Sequence, residues 1–380
     1  MLNVMDVAEA LIHHIRRNFP EDIAIVAYYG SYAQGAATAR SDLDFFFIPA
    51  TPAGYQASIQ FILRDIGFDF WPISWDRAER MASYQEPNTS IIADSKLLYC
   101  RSDEDLIRFN DLKDKIRTMP RHGLKLAEQS ETYIRDALIH WYNLNQSCTS
   151  EGLDSIRTES HGILTNAIYA LAAINRTYLA KGWGKNTNQI REFQVKPPHF
   201  EEDMKAIMRS DSYEKIYGAC DRLLKGIMQI LNQEKESYTD GPSYPERVKG
   251  IYEEFKGIFD KLKTACERND YDTAFFGSIG VQDEISRFLF YAEKGRWPGI
   301  ADAARHYQEL YNSIGLPNLA ALLDPHDLTP LLAAVERLET AFAACLTNEG
   351  VVINRFDTLK EFEEFLGGAT DDSVDETAGG

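Results

Sequence analysis

The chain has 380 residues, 44% hydrophobic and 26% charged, a composition that excludes a disordered or fibrous protein and can fill a large core. A single core stops growing at roughly 250 to 300 residues, so two or three domains are expected. Lys and Arg total 40 against 58 Asp and Glu, a formal net charge of −18; such a field repels phosphate backbones and disfavours long nucleic acid substrates.

The chain opens on MLNVMDVAEALIHHIRRNF, which predicts a short amphipathic helix with acids in its first turns and Arg16 and Arg17 near its end. It lacks the apolar centre of a signal peptide, and no apolar run approaches the roughly 18 residues that span a bilayer, so a cytoplasmic protein with no membrane segment is expected. His13 and His14 on this helix read as surface or packing residues, with no His or Cys cluster beside them. Up to about residue 120, short apolar and aromatic runs alternate with helical stretches: IAIVAYYGS, DLDFFFIP, YQASIQFILRDI, FDFWPIS, WDRAERMAS and SKLLYC. Strands are expected near 23–29, 43–48, 67–73 and 96–100, where β-branched and aromatic residues are bounded by Gly, Pro or Asp. The segment YQASIQFILRDI between the second and third is expected to be helical, ending at Gly67. Phe70, Trp71 and Trp75 are expected mostly in the core, with the alternative that one of them borders the acceptor pocket.

From about Asp103 the pattern becomes helical, with long stretches over Leu124 to Gln146 and His161 to Lys181. In the latter, Leu164, Ile168, Leu171 and Tyr178 fall on one face, and Gly182 is placed to cap the end. Ser237 to Arg247, SYTDGPSYPER, reads as a linker, after which helices resume with loops expected at Gly277–Gly280, Trp297–Gly299 and Gly315–Asn318. The fold class is therefore an α/β (α+β) N-terminal domain on a small mixed sheet, followed by α-helical bundle domains. The boundaries are 1–118, 119–238, 245–366 and an acidic, disordered tail over 367–380. Five scattered Cys without a C-x-x-C pair give neither a disulfide framework nor a zinc site.

Chemistry concentrates in Tyr28 to Ile48, YYGSYAQGAATARSDLDFFFI. A strand runs into Gly30-Ser31, and Asp42-Leu43-Asp44 opens the next strand. In extended backbone, residues i and i+2 share a side, so Asp42 and Asp44 present two carboxylates together while Leu43 turns inward. Two hard oxygen donors suit Mg²⁺, which is normally held by one or two carboxylates plus substrate phosphates, and this points to a nucleotide. Gly30 allows the backbone to approach a phosphate, amides and the hydroxyl around Ser31 can donate to its oxygens, and Arg40 lies beside the same turn. No P-loop, nucleophile elbow or Gly-x-Gly-x-x-Gly fingerprint occurs.

These residues resemble the signature of the polymerase-β-like nucleotidyltransferase superfamily, a Gly-Ser after the first strand followed about ten residues later by Asp-x-Asp. The resemblance implies a third carboxylate on a later strand, for which Asp69 in GFDFWPIS is the matching position and Asp65 the competitor. Among members, the enzymes that adenylylate aminoglycoside and lincosamide antibiotics look nearest, because a helical bundle follows their sheet. Their helix ending in a Gly-containing turn with a triphosphate-contacting lysine is similar to ILTNAIYALAAINRTYLAKGWGKNTNQI, which implies Lys185, with Lys181 as the alternative. The segment from about residue 245 onward has no counterpart in those small enzymes.

The expected activity is Mg²⁺-dependent transfer of a nucleoside monophosphate, with ATP as the default donor, to a hydroxyl of a small acceptor. Asp42 and Asp44 would bind the metal, and Asp69 would deprotonate the acceptor directly or as a ligand. The first 120 residues hold 12 basic and 17 acidic residues, leaving 28 and 41 for the remainder, so the acceptor wall favours cations such as aminoglycosides. The rival readings are AMP transfer to a protein side chain and a catalytically silent binding module.

Overall fold

The computed structural model describes residues 3–38, 41–146, 152–182, 184–238, 241–300, 302 and 304–368. It divides into two compact units, Met1–Tyr238 and Thr239–Gly380.

In the first unit, α1 (Val4–Asn18) begins where the Asn3 side chain accepts from the Met5 amide, and Arg16 and Arg17 fall in its last turn. Five strands follow, β1 (Ile23–Tyr29), β2 (Asp44–Pro49), β3 (Ile59–Leu63), β4 (Ile66–Pro72) and β5 (Lys96–Cys100), ordered β3-β4-β2-β1-β5. β1 pairs antiparallel with β2 and β5, β3 with β4, and β2 runs parallel to β4 with Phe45 opposite Phe70. The sheet is therefore mixed. Alternation divides its side chains: Val26, Phe45, Phe47, Phe68 and Phe70 pack beneath α1, while Ala27, Phe46 and Ile48 meet the helices of the opposite face. Those helices are α3 (Trp75–Ala82), α4 (Thr89–Ala93) and α5 (Asp103–Thr118), which supply Ala78, Met81, Ile92, Phe109 and Leu112. A four-residue helix, α2 (Gly30–Ala33), sits at the end of β1.

One expected helix is a strand. Residues 59–63 form β3, an edge strand joined to β4 by a two-residue turn at Arg64 and Asp65, both with positive φ. Successive backbone twist in such a turn matches that of the flanking strands, and the pairing with Phe68 and Phe70 overrides the helical spacing of Ile59, Ile62 and Leu63.

The rest of the unit is helical: α6 (Gly123–Gln146), α7 (Leu153–Ile174), α8 (Thr187–Arg191), α9 (Phe200–Arg209) and α10 (Tyr213–Glu236). α6 and α7 approach closely at Gly162, where an added Cβ would meet the His140 ring at 2.5 Å. Lys235 of α10 and Glu131 of α6 form a buried ion pair at 2.5 Å. α7 ends at Ile174, seven residues before Lys181. Arg176 adopts a left-handed φ of 56° and turns the chain away, so Tyr178 lies beyond the helix and Gly182 caps nothing.

In the second unit, α11 (Tyr244–Arg247), α12 (Ile251–Glu267), α13 (Tyr271–Lys294), α14 (Ala304–Ser313) and α15 (Thr329–Asn348) are arranged around Phe255, Phe259, Leu262, Ile285, Leu338 and Phe342, and α16 (Leu359–Gly368) sets Phe362 and Phe365 against Phe356. The loop expected at Gly277–Gly280 is instead the interior of α13. Gly277 faces α12, where an added Cβ would lie 3.2 Å from Leu262, and this packing overrides glycine's low helix propensity. The acidic tail falls mainly on 369–380, outside the described residues, and 367–368 close α16.

Candidate active site

β1 ends and β2 begins at the same end of the sheet, with Tyr29 opposite Asp44. Just past Tyr29 the chain turns at Gly30, whose φ is +73°, a region that favours residues without a Cβ. A Cβ there would lie 2.0 Å from Oδ2 of Asp44. Glycine thus lets the Asp44 carboxylate lie against the backbone of the turn. Ser31 follows as the second residue of α2, half-buried, and its carbonyl accepts from the Ala36 amide at 2.8 Å.

Asp69 precedes Phe70 on β4 as Asp44 precedes Phe45 on β2, and those phenylalanines are in register. By strand alternation both acids share the sheet face of Phe46 and Trp71. Asp69 is exposed, and Gln60 of β3 donates to its Oδ1 at 2.8 Å. Asp42 is half-buried two residues before Asp44, beside a turn in which Thr38 and Ser41 bond to each other.

The charges act on one another. Burial pushes the Asp44 carboxyl up to about 6, and the like charges of Asp42 and Asp69 push in the same direction, while Lys185 pulls it back. The Tyr29 phenol is pushed up to about 12, first by burial, with Asp44, Asp69 and Asp42 adding to it against the hydrogen bond from Trp71. Trp71 Nε1 donates to that phenol at 3.3 Å. Three acids, one tyrosine and one lysine therefore share a single electrostatic neighbourhood.

Lys185 is exposed in the loop between α7 and α8, and its amide donates to the Gly182 carbonyl at 3.1 Å. Of the two lysines considered from sequence, Lys185 is the one whose charge acts on Asp44. Asp65 sits in the β3–β4 turn, among neither the charges acting on Asp44 nor those acting on Tyr29. Arg40 lies outside the described residues.

Among the described residues, no three His, Cys, Asp or Glu side chains are gathered closely enough to hold a metal ion by themselves. A pair of carboxylates with oxygens supplied by a substrate fits better. A carboxyl pushed upward by burial and then by neighbouring acids is stabilised by a cation, so Asp44 with Asp42 is the pair that would hold one.

Sequence reasoning missed Tyr29, Gln60 and the polar residues that hold the Lys185 loop, Gln34, Asn186 and Gln189, and it singled out Trp71 without its bond to Tyr29. Tyr29 could have been found from its place immediately before Gly30. Gln60 was hidden because its segment was read as a helix.

Residues 107–237 match the family described as the KNTase C-terminal domain. Among solved structures, a nucleotidyltransferase-like protein from Exiguobacterium sibiricum 255-15 aligns with 61% of this chain and 76% of its own, at 15% identity and a TM-score of 0.35. No curated protein matches the chain.

Proposed function

We propose that the chain is a nucleotidyltransferase that moves a nucleoside monophosphate, by default AMP from ATP, to a hydroxyl of a small acceptor. The observation that supports this reading is the Asp44 carboxylate seated against the Gly30 turn, with Asp42, Asp69 and Lys185 near enough for their charges to act on it. The match of the helical half to the KNTase C-terminal domain supports it.

In this reading Asp42 and Asp44 would hold Mg²⁺ together with triphosphate oxygens. When bound, the ion would supply charge neutralisation at the triphosphate and at the attacking oxygen. The turn at Gly30 lets the phosphates approach the backbone, and Lys185 offers an ammonium to them from the other side. Asp69 accepts the proton of the acceptor hydroxyl, while the hydrogen bond from Gln60 keeps that carboxylate oriented. The acceptor oxygen forms a bond to the α-phosphorus as the bond from that phosphorus to the pyrophosphate oxygen breaks, so pyrophosphate leaves.

The acidic balance of residues 121–380, 41 acids against 28 bases, favours a cationic acceptor, with an aminoglycoside-like antibiotic the chemistry of best sign. The test incubates the full chain with Mg²⁺ and each of ATP, GTP, CTP and UTP against an antibiotic panel and a cell lysate, reading pyrophosphate release and acceptor mass. A mass increase of one nucleotide on a small cationic acceptor, lost in Asp44→Asn, is expected. Nucleotide added to a lysate protein would move the assignment to protein AMP transfer, and absence of pyrophosphate release from every triphosphate would make the chain a binding module.

A further inference from the structure

The Lys185 loop is fastened to the Gly30-Ser31 turn through the side chain of Gln34. The backbone amide of Gln34 donates to the Gly30 carbonyl at 3.1 Å, so the residue belongs to the turn itself. Its Nε2 donates to the carbonyl of Ala180 at 2.6 Å, bridging 146 residues of sequence. Beside it the Tyr178 hydroxyl, from the same loop, donates to the Asp94 carboxylate at the end of α4 at 3.3 Å, and Gln34 lies near enough to act on that carboxylate. Gln34 thus stands where the strand-end turn, α4 and the loop after α7 meet.

On the far side of that bond the loop is internally braced. The Ala180 amide donates to Oε1 of Gln189 at 3.1 Å, and Gln189 Nε2 donates to the Tyr178 carbonyl at 2.6 Å. The Lys181 amide donates to Oδ1 of Asn186 at 2.8 Å, and Asn186 returns a bond to the Lys181 carbonyl. Asn186 is buried. Polar groups removed from water in this way hold a loop because breaking any one leaves an unpaired donor or acceptor. Lys185 projects from this braced ring, next to Asn186. The ring can set where the ammonium sits only if the ring itself is held: Tyr178 ties the loop to α4, and Gln34 ties it to the Gly30-Ser31 turn beside Asp44.

We propose that Gln34 is a positioning residue, whose amide fixes the braced loop against the Gly30-Ser31 turn and so sets the spacing between Lys185 and the Asp42–Asp44 pair that a triphosphate must span. This rests on the nucleotidyl-transfer reading. The chemistry asks for a primary amide: it must donate to a carbonyl, which Glu cannot do, and Asn is one methylene too short to cover the same distance. Displacement of a charged group by a fraction of its contact distance weakens its grip on an anion without removing it.

The test uses the full chain carrying Gln34→Leu, Gln34→Glu, Lys185→Gln and the Gln34→Leu/Lys185→Gln pair. Amide hydrogen exchange without ligand is expected to show the amides of Ala180, Lys181 and Lys185 exchanging about tenfold faster or more in Gln34→Leu, with α6 and α10 unchanged. Calorimetry with Mg²⁺ and a non-hydrolysable ATP analogue is expected to show Gln34→Leu weakened about as much as Lys185→Gln, roughly fivefold to tenfold, and the double variant no weaker than Lys185→Gln alone. A merely structural role would make the two losses multiply. Unchanged exchange, or multiplied losses alongside firm binding by the unsubstituted chain, overturns the role of Gln34 alone. An unsubstituted chain that binds no triphosphate overturns the functional reading and, with it, the use of the clamp.

Discussion

Oδ2 of Asp44 lies 2.0 Å from the place a β-carbon on residue 30 would take, and Cγ of the same carboxylate lies 3.0 Å from it. Gly30→Ala must therefore push the carboxylate aside as well as hold an alanine at a φ of +73°. The left-handed region alone costs an alanine about 1 to 2 kcal/mol. We expect Gly30→Ala to lower stability in urea by about 2 kcal/mol and to weaken Mg²⁺-dependent nucleotide binding more than tenfold. Retention of both would show that the seat of Asp44 against the turn is not used.

Asp44 links the site to pH. An ordinary aspartate titrates near 3.8 and this one near 6, raised first by burial and then by Asp42 and Asp69. Its folded form holds a proton more firmly than its unfolded form, so stability is lost as pH rises from about 4 to about 6, and the whole loss is present above 6. Asp44→Asn escapes it. The variant should exceed the natural chain in stability at pH 7.5 by about 1 kcal/mol, a value reduced from the nominal shift because water still reaches the side chain in part. The difference should vanish below pH 4. Adding Mg²⁺ should narrow it at pH 7.5 by stabilising only the aspartate form. Thermal unfolding across pH 3.5 to 8 checks both, and a variant less stable at every pH would refute the sign.

Asp69 is exposed and oriented by Gln60, so its replacement should spare the fold. Asp69→Asn is expected to lower kcat by about 10² to 10⁴, the usual range for loss of a general base, with nucleotide affinity changed less than threefold. Gln60→Ala should give a smaller kcat loss in the same direction. Steady-state kinetics and analogue binding separate these outcomes, and a loss confined to affinity would place Asp69 on the nucleotide instead.

The Lys235–Glu131 pair between α10 and α6 has side chains only 7% and 12% exposed. Removing the lysine leaves the buried Glu131 carboxylate without that cation, a change that costs about 3 to 5 kcal/mol for buried pairs. Lys235→Met should lower stability by that amount, and Lys235→Met with Glu131→Leu should recover most of it. Chemical denaturation of both variants measures the difference; equal losses would mean that packing, not charge, holds this crossing.

Much of the sheet was legible because its strands are loud. IAIVAYY and DFFFIP place β-branched and aromatic residues between glycine, proline and aspartate, and Asp42, Leu43 and Asp44 alternate as a strand does. β3 was silent for the opposite reason. Apart from the half-buried Phe61 its side chains are exposed at the sheet edge, with Ile62 78% exposed, so no buried run imposed a period of two. Its turn uses Arg64 and Asp65 at positive φ, where Gly or Asn would have announced a hairpin. The end of α7 was hidden in the same way: Arg176 takes the left-handed position that a glycine usually marks. Gly277 misled in the reverse direction, since close helix packing and a loop both select glycine. Gln34, Asn186 and Gln189 left no pattern at all, because single polar side chains that reach across 146 residues, or brace a loop, have no period.

The order in which the chain is made gives the site a history. A nascent polypeptide that has emerged through Cys100 contains all five strands and the acids Asp42, Asp44 and Asp69, but not Lys185. The sheet thus acquires its negative end first, and the compensating ammonium arrives some eighty residues later, once α7 has been synthesised. A chain cut anywhere between Thr118 and Lys185 yields two pieces that each carry one sign of the site's charge. Recombining them would have to overcome the net negative charge of both pieces, 17 acids against 12 bases up to residue 120 and 41 against 28 beyond it, so the site's own charge pair cannot by itself bring such halves together.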